Sequence, residues 1–237
     1  MTPHNLDNHI REGRVIYILA LVALIQTLYP ITADGSTVTL IAFQMLYFLM
    51  IVAGILVMRH SPRIVVVLIA LGLFWIVAAV YYALNQTETL AQLGAYLAIA
   101  IYQAMVVWVL LRYIFTARRV NRDVIYAACA VYLLIGAVFV GIFGAIDVLT
   151  VQQTGQHAFR DTLLAPEDAL PWQHLVYYSY VTLTTAGYGD MLPVTWWARS
   201  FASLEAIIGA LYLAVIVARL VGLYASDRPD QAGGGAP

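Results

Sequence analysis

Six apolar runs separated by short polar connections organise this chain, at residues 15–31, 38–58, 64–84, 90–115, 124–148 and 197–224. A bilayer core of about 30 Å needs roughly 20 helical residues at about 1.5 Å each. Five runs meet that length, and the first lies at its lower limit. A further segment, 171–184, is aromatic but too short and too polar to span. It reads as a re-entrant helix, tolerated at membrane depth only when protein surrounds it. Pro171 suits the first turn of that helix, where its missing N–H costs nothing. The expected fold is an all-α membrane protein with six transmembrane helices and one re-entrant helix.

The polar connections orient this map. Arg11, Arg14, Arg59, Arg63, Arg112, Arg118, Arg119, Arg122, Arg219 and Arg228 fall on one side, and Arg160 and Arg199 on the other. By the positive-inside rule both termini are cytoplasmic. Tyr29, Tyr81, Tyr82, Trp196 and Trp197 then mark the outer interface, where amphipathic rings are favoured. The outer loops carry Asp34, Glu88, Asp147, Asp161, Glu167, Asp168 and Asp190. An acidic outer face raises the local cation concentration, although most of these acids are expected to be solvated loop residues, Asp190 being the exception. Leu28-Tyr29-Pro30-Ile31 lacks a small-residue cleavage pattern, so the first run reads as an uncleaved span.

Composition excludes several functions. The chain is 62% hydrophobic and 11% charged, against roughly 25% charged residues in soluble domains. Its mean hydropathy is +0.83. With 12 basic and 13 acidic residues it offers no basic face for nucleic acid. The single cysteine, Cys129, sits in an apolar run, so neither an internal disulfide nor a cysteine metal cluster is possible. No nucleophile–base pair or phosphate loop stands out, and an enzyme is not expected. Every basic residue is Arg and Ala is abundant, which points to a GC-rich bacterial gene and hence to the bacterial inner membrane.

The one polar, glycine-spaced segment between membrane-grade runs is Thr184-Thr185-Ala186-Gly187-Tyr188-Gly189-Asp190. Gly187 and Gly189 allow positive φ at alternate residues, so that successive carbonyls can point to one side while side chains point away. Four such strands around an axis form carbonyl rings that can replace the water shell of a potassium ion. An ordinary loop turn is the alternative, and the apolar flanks count against it.

The segment closely resembles the T-V-G-Y-G-D selectivity filter of tetrameric, six-transmembrane potassium channels, with Ala186 where that family usually has Val or Ile. The resemblance covers 124–224, under half the chain. It implies that Thr185 supplies a carbonyl and a hydroxyl, and that Ala186, Gly187 and Tyr188 supply carbonyls to K+. Gly189 would turn the chain outward, and Asp190 would anchor the outer end. Tyr177 and Tyr178 stand where the family has two bracing Trp residues, so bonds from Tyr178 to Tyr188 and from Tyr177 to Asp190 are expected. Val181 stands where some bacterial channels have a buried Glu. Glu205, the one acid deep in a span, must pair or face water; Thr182, Thr184 or a structural water is its expected partner. Gly209, twenty positions after Gly189, matches the family's inner-helix hinge or serves as a small packing residue. Ala210, Leu213 or Ala214, Val217 and Val221 form an apolar stripe, on which Val217 and Val221 could close the pore by dewetting. Arg219 is expected to snorkel toward the cytoplasm.

The filter occurs once, whereas one-chain potassium transporters carry four imperfect copies, so a homotetramer is implied. Its partners would be K+, the lipid bilayer and copies of itself, with no cofactor beyond the permeant ion. The expected divisions are a cytoplasmic 1–14, a four-helix domain 15–115, a linker 116–123 and a pore domain 124–225. Within the last lie an outer loop 149–170, a pore helix 171–184, a filter 185–189 and an inner helix 197–224. Residues 226–237 read as a disordered tail, too short for a nucleotide-binding domain.

A voltage sensor needs a basic residue at every third position of the fourth span, with acids in the second and third. The run 90–115 holds only Arg112, near its end, and 38–58 and 64–84 hold no acid. These spans therefore read as a scaffold or a sensor of another kind. The leading function is a potassium-selective channel that is not strongly voltage-dependent. The alternatives are a weakly selective cation channel, because Ala186 loosens the filter, and a sensor or regulatory subunit that rarely conducts.

Overall fold

The computed structural model describes residues 15–34, 37–58, 61–164 and 170–226. The expected cytoplasmic segment 1–14 and the tail beyond Ser226 lie outside the described residues, as does part of the outer loop. The chain forms α1 (Val15–Leu28), a 3-10 helix (Tyr29–Asp34), α2 (Thr37–Met58), α3 (Pro62–Leu84), α4 (Thr89–Thr116) and α5 (Arg122–Thr154). Then follow β1 (Phe159–Asp161), α6 (Trp172–Leu183), β2 (Met191–Pro193) and α7 (Trp196–Ser226). Among the described residues five helical segments are long and apolar enough to cross a bilayer: Val15–Ala33, Pro62–Leu84, Thr89–Thr116, Arg122–Thr154 and Trp196–Ala225. The described apolar stretch of α2, Phe43–Ile55, is shorter.

Local chemistry sets the helix ends. Pro62 opens α3, where it suits the first turn. The Asn121 side chain accepts a bond from Val124 N at 2.9 Å and caps α5. Gly155, at φ 72°, closes that helix in the left-handed conformation. Several expected boundaries move, the linker 116–123 among them, since α4 runs to Thr116 and α5 begins at Arg122. The outer loop was placed from 149, but α5 runs to Thr154, its last turns carrying Thr150 and Thr154 hydroxyls that bond back to Ile146 O and Thr150 O. Ser226, expected in the tail, is the last residue of α7. Pro171 precedes α6 as its N-cap rather than lying in its first turn.

Membrane helices gain little from hydrophobic association, so close packing decides their arrangement. The most extensive contact is between α4 and α5 of the same chain, and α1 also packs on α5. Glycines on α5 permit the approach of α4: a Cβ at Gly141 would meet the Tyr96 carbonyl at 2.7 Å, and the Gly144 position lies against the Tyr96 ring. The connection between α4 and α5 is only residues 117–121. Helices α1 and α4 therefore sit beside their own chain's α5, with α3 packed on α4 and α2 on α1 and α3. The short helix α6 is inserted between α5 and α7, and β1 and β2 form an antiparallel ribbon at its far end.

Candidate ion-conduction site

The site begins where α6 stops. The Thr184 hydroxyl bonds back to Tyr180 O at 2.6 Å, competing with continuation of the helix. The next amides stay tied to the last turn, Thr185 N to Thr182 O at 2.9 Å and Ala186 N to Val181 O at 3.0 Å. From there φ is positive at Thr185 (58°), Gly187 (55°) and Gly189 (81°), with no positive value at Ala186 or Tyr188. Glycine makes two of these conformations easy. For β-branched Thr185 the same region is an outlier that costs about 1–3 kcal/mol. Alternation of this kind turns successive peptide planes the same way. All residues from Thr184 to Gly189 are exposed on the single chain.

The outer end of the segment is held from three directions. The Tyr177 hydroxyl donates to Asp190 Oδ2 at 2.5 Å, and Met191 N donates to Asp190 Oδ1 at 3.1 Å. Thr162 N donates to the Asp190 carbonyl at 2.8 Å, where the β1–β2 ribbon joins. The Tyr177 hydroxyl holds the Asp190 carboxyl below the usual carboxylate range, aided by main-chain N–H groups and opposed by partial desolvation. Tyr188 stacks on Tyr177 with centroids 6.4 Å apart and planes 13° from parallel. Tyr178, expected to brace Tyr188, instead points away within this chain. It is buried against Phe143 and Phe159, at centroid distances of 5.3 and 5.1 Å.

Two acids expected to be solvated are buried. Asp147 accepts from Ala158 N at 2.7 Å and pairs with His157 Nδ1 at 2.8 Å. Asp161 accepts from Leu163 N at 2.8 Å and pairs with His174 Nδ1 at 2.7 Å. The first pair fastens the end of α5 to the ribbon, and the second fastens the ribbon to α6. Desolvated carboxylates need such partners. No sequence periodicity links an acid to a histidine across a loop; the apolar neighbours Ile146, Val148 and Phe159 were the one available signal.

Behind the site, Glu205 is fully buried, but its partner is neither Thr182 nor Thr184. Ser179 Oγ lies 2.5 Å from Glu205 Oε1 and 2.9 Å from Gly136 O, while Glu205 Oε2 has no partner. Gly209 does not break α7, which is helical throughout. It abuts the Leu183 carbonyl so closely that a Cβ there would overlap it. Ala210, Leu213, Ala214, Val217 and Val221 are exposed on one chain, whereas Ala198, Ala202, Glu205, Gly209 and Ile216 are buried. The two stripes lie on different faces of α7. Arg219 donates to Phe115 O at 3.1 Å and Ala117 O at 2.9 Å, at the end of α4.

Residues 128–225 match a family model described as an ion channel. The match supports an ion channel of the pore-loop type, and the apolar helices make it a membrane protein. No curated protein and no solved structure matches the chain. The match takes in most of α5, all of α6 and the glycine-spaced segment, and nearly all of α7. Helices α1 to α4 lie outside it.

Proposed function

We propose that this chain forms a homotetrameric potassium channel in which the Thr185–Gly189 strand is the selectivity filter. The alternating positive φ at Thr185, Gly187 and Gly189 carries this reading. That alternation lets the carbonyls of Thr185, Ala186, Gly187 and Tyr188 face a common axis and replace an ion's hydration shell. The strand is anchored at both ends yet exposed along its length, as expected of a surface completed by three further copies. Conduction is passive and involves no catalysis. Helix α6 is then a re-entrant pore helix among six spans, and α7 is the inner helix. Both termini are cytoplasmic, and the membrane is a bacterial inner membrane.

The exposed stripe of Val217 and Val221 faces the axis in this arrangement and closes the inner pore by dewetting. Replacing either with Ser should raise resting flux; unchanged flux in both variants would place the gate elsewhere. The wider test is reconstitution of the purified protein in liposomes, with K+ and Na+ flux measured separately. Rapid K+ flux with little Na+ flux is expected. Equal flux would favour a weakly selective cation pore, and none a regulatory subunit.

A further inference from the structure

We infer that a cavity among α1, α2, α4, α5 and α6 binds a small membrane-soluble alcohol or phenol. The cavity measures about 90 Å³ and is walled by α1, α2, α4, α5 and α6 of one chain, including Phe43, Tyr47, Gln103, Val140 and Trp172. Its lining is mainly apolar and aromatic. Two amides, Gln26 and Gln103, also line it; Gln103 is 2% exposed, and its Oε1 has no hydrogen-bond partner.

These features select the occupant. Water needs two to four polar partners in a cavity, and this wall is mostly carbon. A lipid acyl chain or alkane fills the space but leaves the amide oxygen unpaired, which is unfavourable in a buried site. The fitting ligand has an apolar body and one O–H donor. Phe43 and Tyr47 supply aromatic surface for that body, and Trp172 lines the cavity at the start of α6. Trp172 packs on Phe43 at 5.7 Å and on Tyr29 at 6.3 Å. One residue on, Gln173 Nε2 donates to Thr32 Oγ1 at 3.0 Å. An occupant therefore presses on the helix that carries the filter, through contacts shared with the 3-10 helix and α2.

The test is binding, which does not depend on conduction. Fluorine NMR on the purified full-length protein in detergent would follow 4-fluorophenol, 4-fluorotoluene and 4-fluoroanisole. Saturable binding of the phenol is expected, about tenfold tighter than that of the other two, the size of one hydrogen bond to a buried acceptor. Gln103→Leu should bring the phenol to within about twofold of the toluene, and Val140→Phe should remove saturable binding of all three. If one variant fails to fold, the other still decides. Non-saturable uptake alone would overturn the proposal, as would anisole binding as tightly as phenol, or a phenol preference surviving Gln103→Leu.

Discussion

The main-chain carbonyl of Leu183 rests against Gly209, with no room for a side chain between them. Leu183 is the last residue of α6, and the Tyr132 hydroxyl approaches the same carbonyl at 3.4 Å. In the proposed channel Gly209 is therefore a seat for the base of the filter. Gly209→Ala forces a methyl into that contact, and overpacking of this kind costs about 1–3 kcal/mol. The expected result is a lower melting temperature together with altered K+ over Na+ discrimination. A hinge would behave differently: alanine would stiffen α7 and change gating while leaving selectivity alone. Unchanged stability and selectivity would remove the seat from the account.

At the outer mouth, Tyr177→Phe removes the hydroxyl that holds the Asp190 carboxyl low. A depressed carboxylate value means that the bond's contribution is fully present above the ordinary range, near pH 3.9, and is lost as pH falls through the lower folded value. In the variant that loss should begin at higher pH, near the ordinary range. Flux measured against external pH should show the acid limb moving upward. An unmoved limb would mean that Asp190 is held by its main-chain bonds alone.

Voltage dependence should be shallow. Arg112 lies in the penultimate turn of α4, exposed, with its guanidinium 5.5 Å from the Trp108 ring centre. A charge crossing the whole field is worth about 2.3 kcal/mol per 100 mV, and strong sensors move three or four per subunit. One arginine near water crosses a small fraction of that. Arg112→Gln should leave the conductance–voltage slope unaltered. A steep slope that flattens in the variant would restore α4 as a sensor.

Helix positions were legible because a bilayer demands long apolar runs, and every expected run contains or overlaps an observed helix. Their ends were less legible. The last turns of α5 are polar and outside the apolar run, and they persist through Thr150 and Thr154 bonds that hydropathy does not register. The glycine spacing announced two of the three left-handed residues; Thr185 gave no sign, because threonine rarely adopts that conformation. Pairings across elements were hidden for a different reason. Which residue of α6 meets Glu205 depends on the axial offset between α6 and α7, and a shift of about one turn separates Ser179 from the expected Thr182. The Asp147–His157 and Asp161–His174 pairs likewise require the ribbon to form first.

Glu205 closes the packing between α5, α6 and α7. Its Oε1 is served by Ser179, whose hydroxyl also reaches the Gly136 carbonyl, although one hydroxyl proton can serve only one acceptor at a time. Glutamine changes this arithmetic. Its amide can donate to Ser179 Oγ while the hydroxyl donates on to Gly136, so Glu205→Gln preserves both contacts. Glu205→Leu keeps much of the volume and leaves Ser179 bound to Gly136 alone. Ser179→Ala is more damaging, because it strands a buried carboxyl with no donor. A buried polar group left unpaired costs on the order of 1–3 kcal/mol, and the proposed tetramer would repeat that cost in every subunit. Thermal unfolding of the assembled protein should therefore rank Glu205→Gln nearest the parent and Ser179→Ala lowest. If Glu205→Gln restores a Ser179→Ala background to the parent's stability, Ser179 is not the partner that matters. If Ser179→Ala alone unfolds with the parent, Glu205 draws its stability from elsewhere, and the buried triad is only a close approach.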